Sequence, residues 1–200
     1  MIAWTRAILL AFACSLPAGT PALAAPSLFG AMPSPAAITP ASRTFVAPRV
    51  VHLDPKFRRQ IVAYDGSEAA GTIIVNTGEH FLYLVLGGGQ AMRYGIGTAK
   101  TGFEWSGTHV LTNKREWPDW TPPAEMLARQ PGIPTHMVGG IRNPLGARAL
   151  YIGRTLYRIH GTNEPWTIGT DVSSGCIRMI NDDVIDLYGR VKIGAKVIVL

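Results

Sequence analysis

Residues 72–97 read TIIVNTGEHFLYLVLGGGQAMRYGIG, and the class of fold follows from this stretch. Within it, EHFLYLVL (79–86) alternates Phe81, Tyr83 and Val85 with Leu82, Leu84 and Leu86. An extended chain with this pattern is apolar on both faces and needs cover on both. Asn76-Thr77-Gly78 before the run and Gly87-Gly88-Gly89 after it are turn formers. With β-type runs at 72–76 and 92–97 on either side, the stretch predicts a three-stranded meander. Further short β-type runs lie at 60–64, 110–112, 149–152, 156–160 and 196–200, separated by Gly, Asn and Pro. The class is mainly β.

Two short helices interrupt the pattern. Thr121 is placed to cap PPAEMLAR, with Pro122 at the first helical position. Asn181 is placed to cap DDVIDLYGR, where Asp182 and Asp183 favour the positive end and Gly189 ends the helix. Val184, Leu187 and Tyr188 form its apolar stripe. Residues 105–146, with six prolines and both Trp117 and Trp120, read as a long ordered excursion from the sheet.

The chain has 200 residues, 47% apolar and 16% charged, which suits one globular domain with some excess length. The net charge of +6 is spread without a Lys/Arg run, a weak argument for nucleic acid, and none is expected as a partner. Residues 1–24 have the layout of a cleaved secretory signal: Arg6, the apolar run AILLAFACSL (7–16), Pro17, then Ala22-Leu23-Ala24. A run of ten residues, apolar except for Ser15, is too short to span a bilayer, so no stable membrane span is expected. Ala11 stands where an acylated Cys14 would be preceded by Leu, which argues against lipidation. Residues 25–48, with Pro26, Pro33, Pro35, Pro40 and Pro48, read as a Pro/Ala-rich linker or arm, leaving a domain at 49–200.

Removing the signal leaves one cysteine, Cys176, in a chain destined for export. Such a thiol is either a buried bystander or a reactive group. Its surroundings, HGTNEPWTIGTDVSSGCIRM (160–179), hold the means for chemistry but do not by themselves decide between the two readings. His160 ends the strand LYRIH, and an imidazole beside a thiol can take its proton, giving an ion pair. Gly175 before the cysteine lets backbone N–H groups turn outward toward an oxyanion. His52, His80, His109 and His136 are scattered without metal-ligand spacing, and neither glycine cluster has a P-loop or dinucleotide-binding pattern. No metal or cofactor is expected.

The segments HGTNEPWTIG, VSSGCIRM and NDDVIDLY resemble the YkuD-type L,D-transpeptidase catalytic domain, the cysteine enzymes that cross-link or decorate peptidoglycan. Tyr94-Gly-Ile-Gly-Thr98 and Gly139-Gly-Ile-Arg-Asn-Pro-Leu-Gly146 extend the resemblance, which covers residues 60–200 in order. It implies a mixed β-sandwich or barrel-like domain with short helices, one following the cysteine. By resemblance Cys176 is the nucleophile, His160 the general base, and the Gly161 carbonyl orients the ring. Backbone N–H groups of Ser174, Gly175 and Cys176 then hold the oxyanion. Arg178, Ser173 and Asn143 fall among the substrate-binding positions. Arg178 has an alternative in a salt bridge to Asp182 or Asp183, and Ser173 and Ser174 also read as turn formers. Many members carry Ser-His-Gly-Cys where this chain has Ser173-Ser174-Gly175-Cys176, so a second imidazole is absent.

The resemblance implies a periplasmic enzyme acting on peptidoglycan stem peptides. Cys176 would release D-Ala from a tetrapeptide through a thioester, then pass the acyl group to a neighbouring stem, giving a 3-3 cross-link, or to a Lys of an outer-membrane protein. The alternatives are a carboxypeptidase or amidase on the same fold, with water as acceptor, and a non-catalytic peptidoglycan-binding module. Trp117, Trp120 and Trp166 could stack on substrate or plug a core edge.

Overall fold

The computed structural model describes residues 53–200; the signal segment, the arm, residues 49–52 and His52 lie outside the described residues. The predicted meander is present as β2 (Ile73–Asn76), β3 (Phe81–Gly87) and β4 (Gln90–Gly95), paired antiparallel in that order. Leu82 and Leu84 of β3 are buried in the core. On the opposite face Phe81 is covered by the Phe57 ring, 5.5 Å away, and by the Arg93 guanidinium. Both faces are therefore covered, by different chemistry: one by the core, the other by a single turn and a cationic side chain.

The remaining strands are β1 (Gln60–Ala63), β5 (Thr98–Ala99), β6 (Gly107–Glu116), β7 (Arg148–Ile152), β8 (Arg158–His160), β9 (Asp171–Ser173), β10 (Ile177–Arg178) and β11 (Lys196–Val199). Nine of the eleven strands among the described residues form one sheet in the order β1-β4-β3-β2-β11-β6-β7-β8-β10, while β5 and β9 pair separately. Strand β6 joins the two halves: its residues 107–110 pair with β11, and its residues 111–116 pair with β7 across a register shift. Side chains from both halves then meet in one core. Ile73, Leu82 and Tyr94 come from one side, Leu150, Ile159 and Ile177 from the other, closed by Val184 and Leu187. The folded-over sheet is the sandwich-like architecture expected.

Four expectations about local structure are corrected. Strand β6 is ten residues long, so the excursion begins after Glu116 and not at Trp105. It is closed at its base by Trp117 N–H to Ala147 O and by a bridge between Trp120 and Met137. The first helix, α1 (Ala124–Arg129), starts after Pro123 without a side-chain cap, because two successive prolines hold the chain extended past Thr121. The second, α2 (Asn181–Arg190), includes Gly189 in its last turn. Asn181 does not cap it: its Oδ1 accepts from Ala147 N–H at 2.9 Å, tying the start of α2 to the start of β7. The stripe on α2 buries Val184 and Leu187 as its spacing predicts, and Tyr188 packs at the core edge.

Candidate active site

His160 and Cys176 are sixteen residues apart in sequence and are brought together by the parallel pairing of β8 with β10. Ile177 is in register with Ile159, and Arg178 with His160. Ile159 and Ile177 point into the core, so by strand alternation Arg158, His160 and Arg178 share the opposite face. That face is one wall of a cavity of about 690 Å³, which His160, Ser173, Ser174, Cys176 and Arg178 all line. Helix α1 supplies part of the rim through Met126 and Arg129, and Pro144, Leu145 and Trp120 of the excursion supply more. Trp120 is the one of the three singled-out tryptophans that lines this cavity.

The imidazole is fixed through one nitrogen. Nδ1 of His160 lies 2.5 Å from the Gly161 carbonyl, which can only accept, so the proton is on Nδ1 and the Nε2 lone pair is free. Gly161 is required here for space: a Cβ on it would lie 2.2 Å from Asn181 Oδ1. Burial drives the His160 pKa down to about 3, with Arg178 and Arg158 adding to the effect and the Gly161 bond opposing it. Burial also pushes the Cys176 thiol up, against the lowering effect of Arg158. The thiol's contact with the Leu156 carbonyl is long, 3.9 Å. Both groups are thus neutral at pH 7, and a resting thiolate–imidazolium pair is not what this site favours.

The loop before the cysteine is held by its own hydrogen bonds. Ser173 Oγ donates to the Cys176 carbonyl at 2.6 Å and accepts from Gly175 N–H at 3.1 Å. The Ser173 carbonyl accepts from Lys100 N–H, and the Gly175 carbonyl accepts from Trp105 Nε1 at 2.6 Å. Gly175 has φ +107°, and a Cβ there would lie 2.3 Å from the Tyr157 ring, which is itself stacked on Trp105 at 4.3 Å. Two assignments therefore change. Gly175 N–H is engaged within the turn and is not free for an oxyanion. Ser173, 5% exposed, has its hydroxyl committed to the turn and not to a substrate.

Asn143 is also corrected. It is 1% exposed; its Nδ2 donates to the carbonyls of Pro118, Met137 and Val138, and its Oδ1 accepts from Leu145 N–H. It organises the excursion and places Pro144 and Leu145 at the cavity. Arg178 pairs with Glu164 at 2.9 Å and not with Asp182 or Asp183, the latter lying 3.9 Å from Arg59. Sequence reasoning missed Arg158, Trp105 and Tyr157. Arg158 had a readable signal, since it stands two residues before His160 on the same strand; Trp105, seventy residues from the loop it supports, had none. Among the described residues no group of three or more His, Cys, Asp or Glu side chains is placed to hold a metal ion.

The model of the YkuD L,D-transpeptidase catalytic domain matches residues 70–199. The chain belongs to that family. L,D-transpeptidase relatives include the Escherichia coli K12 proteins named probable L,D-transpeptidase ErfK/SrfK and probable L,D-transpeptidase YbiS. Each is 39% identical over 132 residues, 62% of this chain. The chain spans only 42% and 43% of their lengths. Among solved structures, the acylated catalytic domain of an Enterococcus faecium L,D-transpeptidase has a TM-score of 0.52 at 21% identity, over 68% of this chain and all of that one. A Brucella melitensis protein described as a probable carnitine operon oxidoreductase is 48% identical, with a TM-score of 0.50, over 74% of this chain and 96% of that one. The parallel pairing of β8 with β10 sets the candidate nucleophile and the candidate base at one sheet edge.

Proposed function

We propose that this chain is an exported cysteine L,D-transpeptidase acting in the periplasm on peptidoglycan stem peptides. The observation that carries the reading is the shared cavity of Cys176 and His160, with Nδ1 held by the Gly161 carbonyl and Nε2 left as the base. Because both groups rest neutral, Nε2 takes the thiol proton as sulfur bonds to the carbonyl carbon between the third stem residue and D-Ala. The protonated His160 then gives that proton to the departing D-Ala nitrogen, leaving a thioester on Cys176. An incoming amine attacks the thioester, His160 takes its proton, and the thiol is restored by the same proton.

The oxyanion is assigned to the N–H groups of Cys176 and Ser174. In a trans peptide the N–H points opposite to the preceding carbonyl. The Gly175 carbonyl is drawn toward Trp105 and the Ser173 carbonyl toward Lys100, so the N–H groups of Cys176 and Ser174 face the other way. Two such donors in a part-desolvated cavity are the device that stabilises a tetrahedral intermediate. The acceptor is the side-chain amine of a second stem, giving a 3-3 cross-link, or a Lys of an outer-membrane protein. No helix among the described residues is long and apolar enough to cross a membrane.

The test is the product. The mature protein is incubated with a disaccharide-tetrapeptide, with and without a D-amino acid and a Lys-bearing acceptor, and the masses are read. D-Ala release with a cross-linked dimer, an exchanged tetrapeptide or an acylated acceptor is expected. Tripeptide and D-Ala alone would make the chain a hydrolase and overturn the transferase reading.

A further inference from the structure

The cavity is unevenly charged. Lys100, Arg129, Arg154, Arg158 and Arg178 line it, against one acidic residue, Glu125. Arg178 is neutralised by Glu164, and Arg129 lies over the Phe103 ring. Among the described residues, Lys100, Arg154 and Arg158 have no carboxylate within salt-bridge distance. Arg158 is the one built into the site. It stands two positions before His160 on β8, its guanidinium lies 5.2 Å over the Tyr151 ring, and it lines the cavity beside Cys176, whose thiol its positive charge pulls down. Its Nε is buried and has no hydrogen-bond partner. A part-buried guanidinium without a carboxylate is unfavourable alone and is matched by a planar anion that it can hold through two N–H groups.

We propose that Arg158 is a specificity-determining residue that reads a free carboxylate on the donor residue whose carbonyl Cys176 attacks, so that the enzyme selects carboxylate-bearing donors over their carboxamide counterparts. The inference rests on the proposed transpeptidase reading and narrows its substrate class. The third stem residue carries a carboxylate beside its side-chain amine when that terminus is unmodified, and amidation removes the negative charge while preserving shape. The surrounding Lys100 and Arg154 favour an anion entering the same space. Arg178, paired with Glu164, is the weaker candidate for this role.

Two synthetic tetrapeptides, identical except for a carboxylate or a carboxamide on the third side chain, are compared as donors for wild type, Arg158→Gln and Arg158→Lys. The readout is the ratio of the two kcat/KM values within each protein, so any effect of Arg158 on the thiol, common to both donors, cancels. Wild type should prefer the carboxylate by about 10- to 100-fold, the range of a charge-assisted hydrogen bond. Arg158→Gln should bring the ratio near one, and Arg158→Lys should leave an intermediate value. An unchanged ratio in Arg158→Gln, or a wild-type preference for the carboxamide, would overturn the proposal. Binding of both peptides to Cys176→Ala and to Cys176→Ala/Arg158→Gln, followed by calorimetry, separates the two claims. A carboxylate preference in binding that Arg158→Gln abolishes, without turnover in wild type, would sustain the role of Arg158 and defeat the transpeptidase reading; no preference in binding would defeat the role itself.

Discussion

Consider the reactivity of Cys176 as pH is varied. The thiol sits above its ordinary value of 9.0 and the imidazole near 3, both displaced by burial. Moving the proton from sulfur to nitrogen therefore costs at least six pKa units, about 8 kcal/mol before the two charges attract one another. Even a contact pair about 4 Å apart, at an effective dielectric of about 20, would regain only about 4 kcal/mol. The remaining ~4 kcal/mol keeps the neutral pair favoured roughly a thousandfold. At pH 7 no more than about one thiol in a hundred is ionised. The assay is the rate of alkylation by iodoacetamide from pH 4 to 9, read by intact mass. The rate should rise about tenfold per unit between pH 6.5 and 9, and Cys176→Ala should take no label. The donor kcat/KM should show no fall near pH 6.5, because His160 is already neutral there and stays so to about pH 3. Fast alkylation on a plateau between pH 4 and 8 would mark a resting ion pair and refute the reasoning.

Three other perturbations follow from the site and its support. Trp105→Phe keeps the stack on Tyr157 and removes the N–H that holds the Gly175 carbonyl; kcat should fall about 10- to 100-fold with KM within about threefold, and unchanged kcat would remove Trp105 from the positioning of the loop. Gly175→Ala forces a Cβ against the Tyr157 ring at a positive φ and should cost about 2–4 kcal/mol in urea unfolding, a cost that shrinks in a Tyr157→Ala background. Asp183 is 4% exposed, its Oδ2 has no partner, and its pKa is raised by burial to about 6. Because the folded value lies above the unfolded one, its ionisation destabilises the fold progressively from about pH 4 to 6 and fully above. Asp183→Asn should raise Tm by a few degrees at pH 7.5, about 1–2 kcal/mol after losing its favourable place at the helix start, and the gain should vanish toward pH 4.

The parts of this molecule that could be read from sequence are those set by local alternation and local turn chemistry. The meander of residues 72–97 is such a part, because each strand follows the last through a short turn and the apolar pattern sets its register. The helix after Cys176 was legible from its stripe and its acidic first turn, although Asn181 was drawn away from the cap by an unpaired N–H at Ala147, a partner distant in sequence. What could not be read depends on non-local pairing of very short strands. Strands β5, β9 and β10 are two or three residues long, too short to show a period, yet β10 is what sets the Cys176 loop beside His160. Ion-pair choice was equally non-local: Asp182 and Asp183 are near Arg178 in sequence, but the turn at Pro165–Thr167 delivers Glu164 to it instead. Asn143 looked available because polar side chains in loops often are; its four hydrogen bonds to the excursion could be counted only once that loop was folded.

The central claim is that Cys176 forms a thioester with a stem peptide, with His160 as the base. It is tested most directly by mixing the mature protein with a tetrapeptide donor, quenching in acid within seconds and mapping the mass of the Cys176 peptide. The account predicts an added mass equal to the donor less D-Ala on Cys176 in wild type, cleared by an added amine, absent in Cys176→Ala and strongly slowed in His160→Gln. Turnover of the donor by Cys176→Ala, or an acyl group found on any other residue, would contradict it.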